Sequence, residues 1–516
     1  MDINELPENC LGADLVWWRT ANGMRTTVSL FWALYHEFPE AVYLQARLFD
    51  GDGNLSTAWN LEINPQDPLF IDSSADGPWG KYRGSDGILA LYVITKDKPQ
   101  SETSKRYSRL FPYVDWHLAD GRNACLHSDQ VVIRGNNKLQ RITEIVVLEN
   151  ETETNALVIL NGEEEQVARA LSLNFKNHLG HEKTIAYKQV MRPFTVLHIP
   201  FRDYFPDIAN FSDNKPLQVS GSFPSRGLFS RPFLETTGKR WGLYHTGNVY
   251  KWSAKPYFAH ALIGGEVNPM AVIVDEHVNT SVNLLHSHDG FEEDVSIDVK
   301  LYDESGNIVF NQPAWCQLAR HGLVRFDISD FLQDSRRPFR GHIALSFSVE
   351  PNRSVPVHLQ ALLEYRHAES IAHVMAWSDE WNSRHQLAKR DRASSAIIKK
   401  AFSRIHCNDE LDTELAITNA GHDGYQRDAM ATITLLGNGY KSDALQIFLA
   451  PYASRFGSIS ELFPEAHRTL APSGLGVVII ESESELATVA FTRLRDRIDA
   501  TLGTSETLEA NDNEER

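Results

Sequence analysis

The sequence predicts an all-β chain: a tandem array of about four antiparallel β-sandwich modules, with a short helical linker before the last. Three observations predict it. The first is an eight-residue pattern that recurs without gaps, as Pro200-Phe201-Arg202-Asp203-Tyr204-Phe205-Pro206-Asp207, Asp327-Ile328-Ser329-Asp330-Phe331-Leu332-Gln333-Asp334 and Ser458-Ile459-Ser460-Glu461-Leu462-Phe463-Pro464-Glu465. The stretches start at 200, 327 and 458, so successive starts lie 127 and 131 residues apart, the signature of a repeat array. The second is an alternating apolar strand closed by a Gly/Asn turn upstream of each stretch. The third is length, since 516 residues exceed what one hydrophobic core supports.

In chain order, the first upstream strand is Val42 to Phe49, closed by Asp50-Gly51-Asp52-Gly53-Asn54. The second is Ala170 to Phe175 before Gly180, and the third is Val295 to Tyr302, closed by Asp303-Glu304-Ser305-Gly306-Asn307. The fourth is Ala431 to Leu436 before Gly437-Asn438-Gly439. Each eight-residue stretch is expected to form a short helical crossover between the two sheets of its module, with its apolar pair plugging one end of the core. Further strands follow it, clearest in Gly341 to Val349, Gly476 to Ile480 and Leu486 to Phe491. The expected modules are 12–135, 136–256, 257–382 and 407–502. Residues 383–406 carry Arg384, Lys389, Arg390, Arg392, Lys399, Lys400 and Arg404 without Pro or Gly to Arg404, and read as a basic helix. The polar, acid-rich residues 503–516 read as a disordered tail.

Leu462-Phe463-Pro464-Glu465, then Gly474, the strand Val477 to Ile480 and Leu486-Ala487-Thr488-Val489-Ala490 resemble the end of Ig-like β-sandwich repeats of bacterial surface and secreted proteins. The resemblance implies a binding or structural module.

A net charge of −18 excludes nucleic acid as a partner, because phosphate binding needs a concentrated basic surface. Cys10, Cys125, Cys316 and Cys407 lie far apart and are expected to be reduced thiols. No basic, apolar leader opens the sequence and no stretch reaches membrane-spanning length, so no membrane insertion and a cytoplasmic location are expected.

Chemistry, if present, is expected at the joints. His117, Asp120, His127 and Asp129 cluster after the first module, and His367, His373 and Asp379 after the third. In both joints the leading His precedes a Ser-Asp pair by eleven residues, at Ser128 and Ser378. Imidazole with carboxylate suits a divalent transition metal, or general acid–base work. The same groups equally serve as hydrogen-bonding struts, the favoured reading. Asp50-Gly51-Asp52-Gly53-Asn54 imitates a calcium loop, but its acid falls at Glu62, one place late. Candidate binding residues are Trp116, Trp241, Tyr244, His245, Trp377, Trp381, Arg109 and Arg231, either displayed to a partner or welding modules together. The reading overall is a non-catalytic scaffold or recognition protein presenting joint surfaces to a protein assembly, a homo-oligomer or, second, a polysaccharide. The alternative is a metal-dependent enzyme at a joint.

Overall fold

A computed structural model describes residues 7, 9–31, 43–64, 67–73, 79, 82, 84–95, 110–128, 139–166, 171–188, 190–224, 232–245, 264–286, 294–319, 322–348, 360–377, 399–419, 427–484, 486–495, 503–506 and 508–511. The fold is antiparallel β throughout. Contacts divide the chain into two compact units, Met1–Asn248 with Gly437–Gly439, and Val249–Leu436 with Tyr440–Arg516.

In the first unit, strands between Cys10 and His127 form two four-stranded sheets, and strands between Leu139 and His245 form two more. In the second unit, the strands from Gly264 to Trp377 make one eight-stranded sheet, whose two halves join at the single pair Val274–Asn279 along its main path. Strands from Lys399 to Asn511 make a six-stranded and a four-stranded sheet. The alternation read from the sequence has its expected consequence. In strand Val295–Asp303, Val295, Ile297, Val299 and Leu301 are buried in one cluster with Ile343 and Leu345. In strand Ala429–Gly437, Ala431, Ile433 and Leu435 do the same with Val478 and Ile480.

The eight-residue repeats are the crossovers. Helix Phe201–Tyr204 leads from strand Val196–Pro200 of one sheet to Leu217–Pro224 of the other, and helix Ile459–Leu462 leads from Ser454–Ser458 to Leu475–Ser482. Between them in sequence, the 3-10 turn Ile328–Phe331 connects Leu323–Asp327 to Phe339–Ser348. The first apolar residue of each (Phe201, Ile328, Ile459) and the last (Phe205, Leu332, Phe463) are buried. Of the expected apolar pair, therefore, the second member alone is buried: the first is exposed at Tyr204 and half-buried against the core at Phe331 and Leu462. At Ser458 a capping box closes the turn, with the Ser458 hydroxyl accepting from the Glu461 N–H while the Glu461 carboxylate accepts from the Ser458 N–H.

Two expectations are corrected. Residues 399–406 of the basic segment are not helical: Lys399–His406 is a strand, paired from Lys399–Ser482 to His406–Leu475. Ala401, Ile405 and Cys407 alternate into the core, and that period of two outweighs helix propensity. Residues 383–398 lie outside the described residues. The tail from 503 is also not disordered as far as it is described. Gly503–Glu506 pairs with Val489–Thr492, and Leu508–Asn511 pairs with Lys399–Phe402, because edge pairing is carried by backbone groups and tolerates polar side chains. The sheets of the fourth module therefore reach from 399 to 511, beyond the 407–502 boundaries.

Candidate functional site

The joint inside the first unit is built from a turn and a receiver. In the turn, the Asp50 carboxylate accepts the N–H groups of Asp52 and Asn54, each at 2.9 Å, and the Asn54 amide at 3.3 Å. The acid that imitates a calcium ligand is thus occupied by its own backbone. Gly53 sits at φ +83°, and a Cβ there would lie 2.2 Å from the Pro193 carbonyl oxygen. Beside it Phe49 stacks on Phe194 with centroids 3.8 Å apart and planes 7° apart. Phe194 itself has φ 51°. Its loop is held by buried Asn161, whose amide nitrogen lies 2.9, 3.2 and 2.7 Å from the carbonyls of Glu164, Met191 and Arg192.

Behind the turn is an aromatic and ionic weld. Trp116 is buried, donates its indole N–H to the Trp17 carbonyl at 2.8 Å and meets Phe233 edge-on at 6.0 Å. The Arg19 guanidinium lies 4.1 Å over Trp17 and 2.5 Å from buried Glu235. Glu235 also bonds His198 at 2.9 Å and accepts from Trp241 Nε1 at 3.1 Å. Burial alone would raise the Glu235 pKa, but His198, Arg19 and Trp241 outweigh it and bring it down to about 2. Tyr244 is buried and donates to the Val146 carbonyl at 2.8 Å.

The second unit repeats this joint. The Asp303 carboxylate accepts the N–H groups of Ser305 at 3.0 Å and Asn307 at 2.9 Å, and the Asn307 amide at 3.1 Å. Gly306 is again at φ +83°, with a Cβ position 2.5 Å from the Pro451 carbonyl oxygen. Tyr302 stacks on Tyr452 at 4.9 Å and 6°, and Tyr452 has φ 61°. The Asn419 amide reaches the Arg427, Leu449 and Ala450 carbonyls at 2.9, 3.3 and 3.1 Å. Tyr365 takes the place of Trp116, donating to the Ala271 carbonyl at 2.6 Å and meeting Phe491 edge-on at 5.0 Å. Gly87 and Gly341 are equivalent too, since a Cβ would lie 2.0 Å from the Phe49 carbonyl oxygen and 1.9 Å from that of Tyr302.

The residue after that glycine differs, Ile88 in one unit and His342 in the other. His342 stacks on Tyr302 at 4.8 Å and bonds the Ser454 hydroxyl at 3.1 Å, and burial lowers its pKa to about 3. Arg340 pairs with Glu414, which Arg493 approaches at 3.2 Å.

Among the described candidates of the first joint, His117 and His127 are not brought together. His117 pairs with Arg25 and Asn123 at one end of its hairpin, and His127 pairs with Tyr113 at the other. Four residues of strand separate them by about 13 Å, too far to share one ion through two nitrogens ~2 Å from it. His117 is half-buried, and burial, reinforced by Arg25 and opposed by Asp72, lowers its pKa to about 4. Asp120 lies in the Leu118–Arg122 turn and bonds Arg122 through both N–H and Nε, and that bond holds its pKa low. His127 is buried edge-on to Phe111 at 5.6 Å.

The eleven-residue match between the joints does not mark equivalent places. Asp115 faces Thr27 and Cys125, as Glu364 faces Ser281 and His373, so His117 corresponds to Arg366 and His367 falls one residue past the strand. Buried His367 donates its N–H to the Ser370 carbonyl at 3.0 Å, and its ring lies 6.4 Å from that of His277. His373 is buried opposite Glu364, and burial, opposed by Glu364, lowers its pKa to about 4. Asp129, Asp379, Trp381, Arg109 and Arg231 lie outside the described residues, and of His245 and Trp377 the strand backbone alone is described.

Among the buried carboxylates that sequence reasoning missed are Glu235 and Glu364. Glu364 is bonded by Arg325 at 2.7 Å and by Arg366 at 3.0 Å, with Arg325 also donating to the Asn283 amide oxygen at 3.0 Å. Burial works against its ionisation, but Arg325, Arg366 and His373 hold its pKa well below the carboxylate range. Glu364, like Glu235, is a lone acid following two apolar residues inside a strand, and that signal could have flagged both.

No family model matches the sequence, and no curated protein matches it. Among solved structures, one titled as a tetra-tandem repeat in the extending region of a large adhesion protein aligns over 92% of this chain and 92% of its own, at 9% identity and a TM-score of 0.08. At that score the similarity carries no argument about this chain.

Proposed function

We propose that the chain is a non-catalytic scaffold or recognition protein, with a protein assembly as its first partner class and a polysaccharide as its second. The observation that carries this reading is the joint built twice from one set of parts. The turn carboxylates cap their own backbones, the asparagines clamp loops, and Trp116, Trp241 and Tyr244 are buried with their polar atoms bonded. These groups hold modules in place, and of the two roles open to the aromatics, display or welding, the buried ones take the second. Elemental analysis of protein purified without chelator tests the reading against a metal-dependent one. The expected result is less than stoichiometric transition metal and a Tm unmoved by EDTA. One bound equivalent, lost in His117→Ala or in His373→Ala, overturns it.

A further inference from the structure

Each module's edge hairpin leaves one outer strand, and an open strand edge must be defended or paired. Three of the four are defended. Strand Leu55–Glu62 ends on Glu62, and its pairing shifts register between Leu48 and Phe49. Glu182–Tyr187 opens on Glu182 and Lys183. Ile308–Leu318 contains Pro313, pairs through two register shifts, and has Ala314 at φ 46°.

The fourth, Leu445–Leu449, has none of these defences. It reads Leu-Gln-Ile-Phe-Leu, without charge or proline, and pairs in unbroken register from Ala429–Leu449 to Ile433–Leu445. Among the described residues, Leu445 to Phe448 make no hydrogen bond apart from that pairing. Phe448 is 75% exposed, and directly across the strand pair Met430 is 42% exposed.

We propose that Leu445–Leu449 is a pairing edge and that its occupant is the same strand of a second copy, running antiparallel. Backbone groups along one side of a strand that no described residue meets select another strand as the ligand. Two copies that each carry a net charge of −18 repel over most of their surface, and this uncharged strip is a place where they meet without opposing charges. An antiparallel two-fold pairing matches length and neutrality on both sides, and it sets the Phe448–Met430 pairs of both copies along one continuous face. Five residues a side bury less than the ~1,200 Å² of a stable interface, so the dimer is expected to be weak, with Kd on the order of 10–100 μM.

This proposal does not rest on the scaffold reading, and its failure leaves that reading intact. Sedimentation velocity of the full chain over a range from about 1 to 300 μM tests it. The expected result is a concentration-dependent dimer that Phe448→Lys weakens at least tenfold, while Leu179→Lys, at an exposed apolar residue elsewhere, leaves it unchanged. Phe448 is mostly exposed, so the variant is expected to melt like the parent. A chain that stays monomeric throughout, or a dimer that Phe448→Lys spares, or one that Leu179→Lys weakens equally, overturns the proposal. The monomeric result would assign the edge to a strand of another protein or to none.

Discussion

The joints of the two units differ less in their backbone than in what fills the space behind it. Both use an Asp-x-x-Gly-Asn turn, a Pro-aromatic receiver in left-handed conformation and an asparagine clamp. Behind the turn, the first unit places a fully bonded carboxylate, Glu235, with Arg19, His198 and Trp241. The second places a neutral imidazole, His342, between Tyr302 and Ser454. The turn and receiver are therefore the parts that geometry demands, and the polar filling varies: Glu235 meets three partners, whereas His342 bonds through Nδ1 and its buried Nε2 has no hydrogen-bond partner among the described residues. The even-numbered modules sharpen the point. Asn177 caps a turn in the same way, with Gly180 at φ +80°, yet a Cβ at Gly180 meets nothing within 4 Å.

The largest effect is therefore expected at the pressed glycines. Gly53→Ala and Gly306→Ala should each cost about 2–4 kcal/mol, from a left-handed backbone and a clash with a carbonyl oxygen. Gly180→Ala should cost about 1 kcal/mol, from the backbone alone. Urea unfolding gives the magnitudes, and hydrogen exchange should localise each loss to the unit that carries the change. Equal costs at Gly53 and Gly180 would break the comparison.

Next come the clamps. Asn161→Ala and Asn419→Ala each strand buried carbonyls and should cost about 1–3 kcal/mol, by similar amounts in the two units. A neutral outcome at either position, read from the same unfolding curves, would show that its receiver loop is held by other means.

The pH response separates the joints. His342 has a folded pKa lowered to about 3 from its ordinary value of 6.5, so the unfolded chain binds more protons in between. Its contribution is full above pH ~6.5 and is lost as pH falls toward 3. Glu235, lowered to about 2 from 4.5, keeps its contribution until pH falls below its ordinary value. Between pH 7 and 5 the second joint should therefore loosen first, seen as faster exchange at Tyr302 and Tyr452 than at Phe49 and Phe194. His342→Ile, which borrows the residue of the first joint, should flatten that slope. An unchanged slope would remove His342 as its cause.

Much of this architecture was legible in the residues. The crossovers were readable from their recurring apolar positions, although the plug is Phe205, Leu332 and Phe463 with the earlier Phe201, Ile328 and Ile459, and not the adjacent apolar pair. The strands were readable wherever one face met solvent, as in Val295–Asp303. Reading failed where a strand's polar row hid its period, so that Lys400 and Arg404 made 399–406 resemble a helix. It failed again at the histidines, because a spacing of eleven residues says nothing about register, and one residue of slip moves a side chain to the opposite face. Glu235 and Glu364 escaped notice because their partners, Arg19 and Arg325, are remote in sequence and meet them only in the folded chain.

Turn and receiver stand on different modules, and this constrains how such a gene can change length. Pro193 and Pro451 are 258 codons apart, close to twice the module repeat. Unequal recombination by one module would set a pressed glycine turn against a neighbour lacking its Pro-aromatic receiver, and would leave a receiver elsewhere unfilled. Recombination by two modules would conserve every matched pair. For the joint to be kept, growth or loss of the array has to proceed by pairs of modules, in steps of about 258 residues.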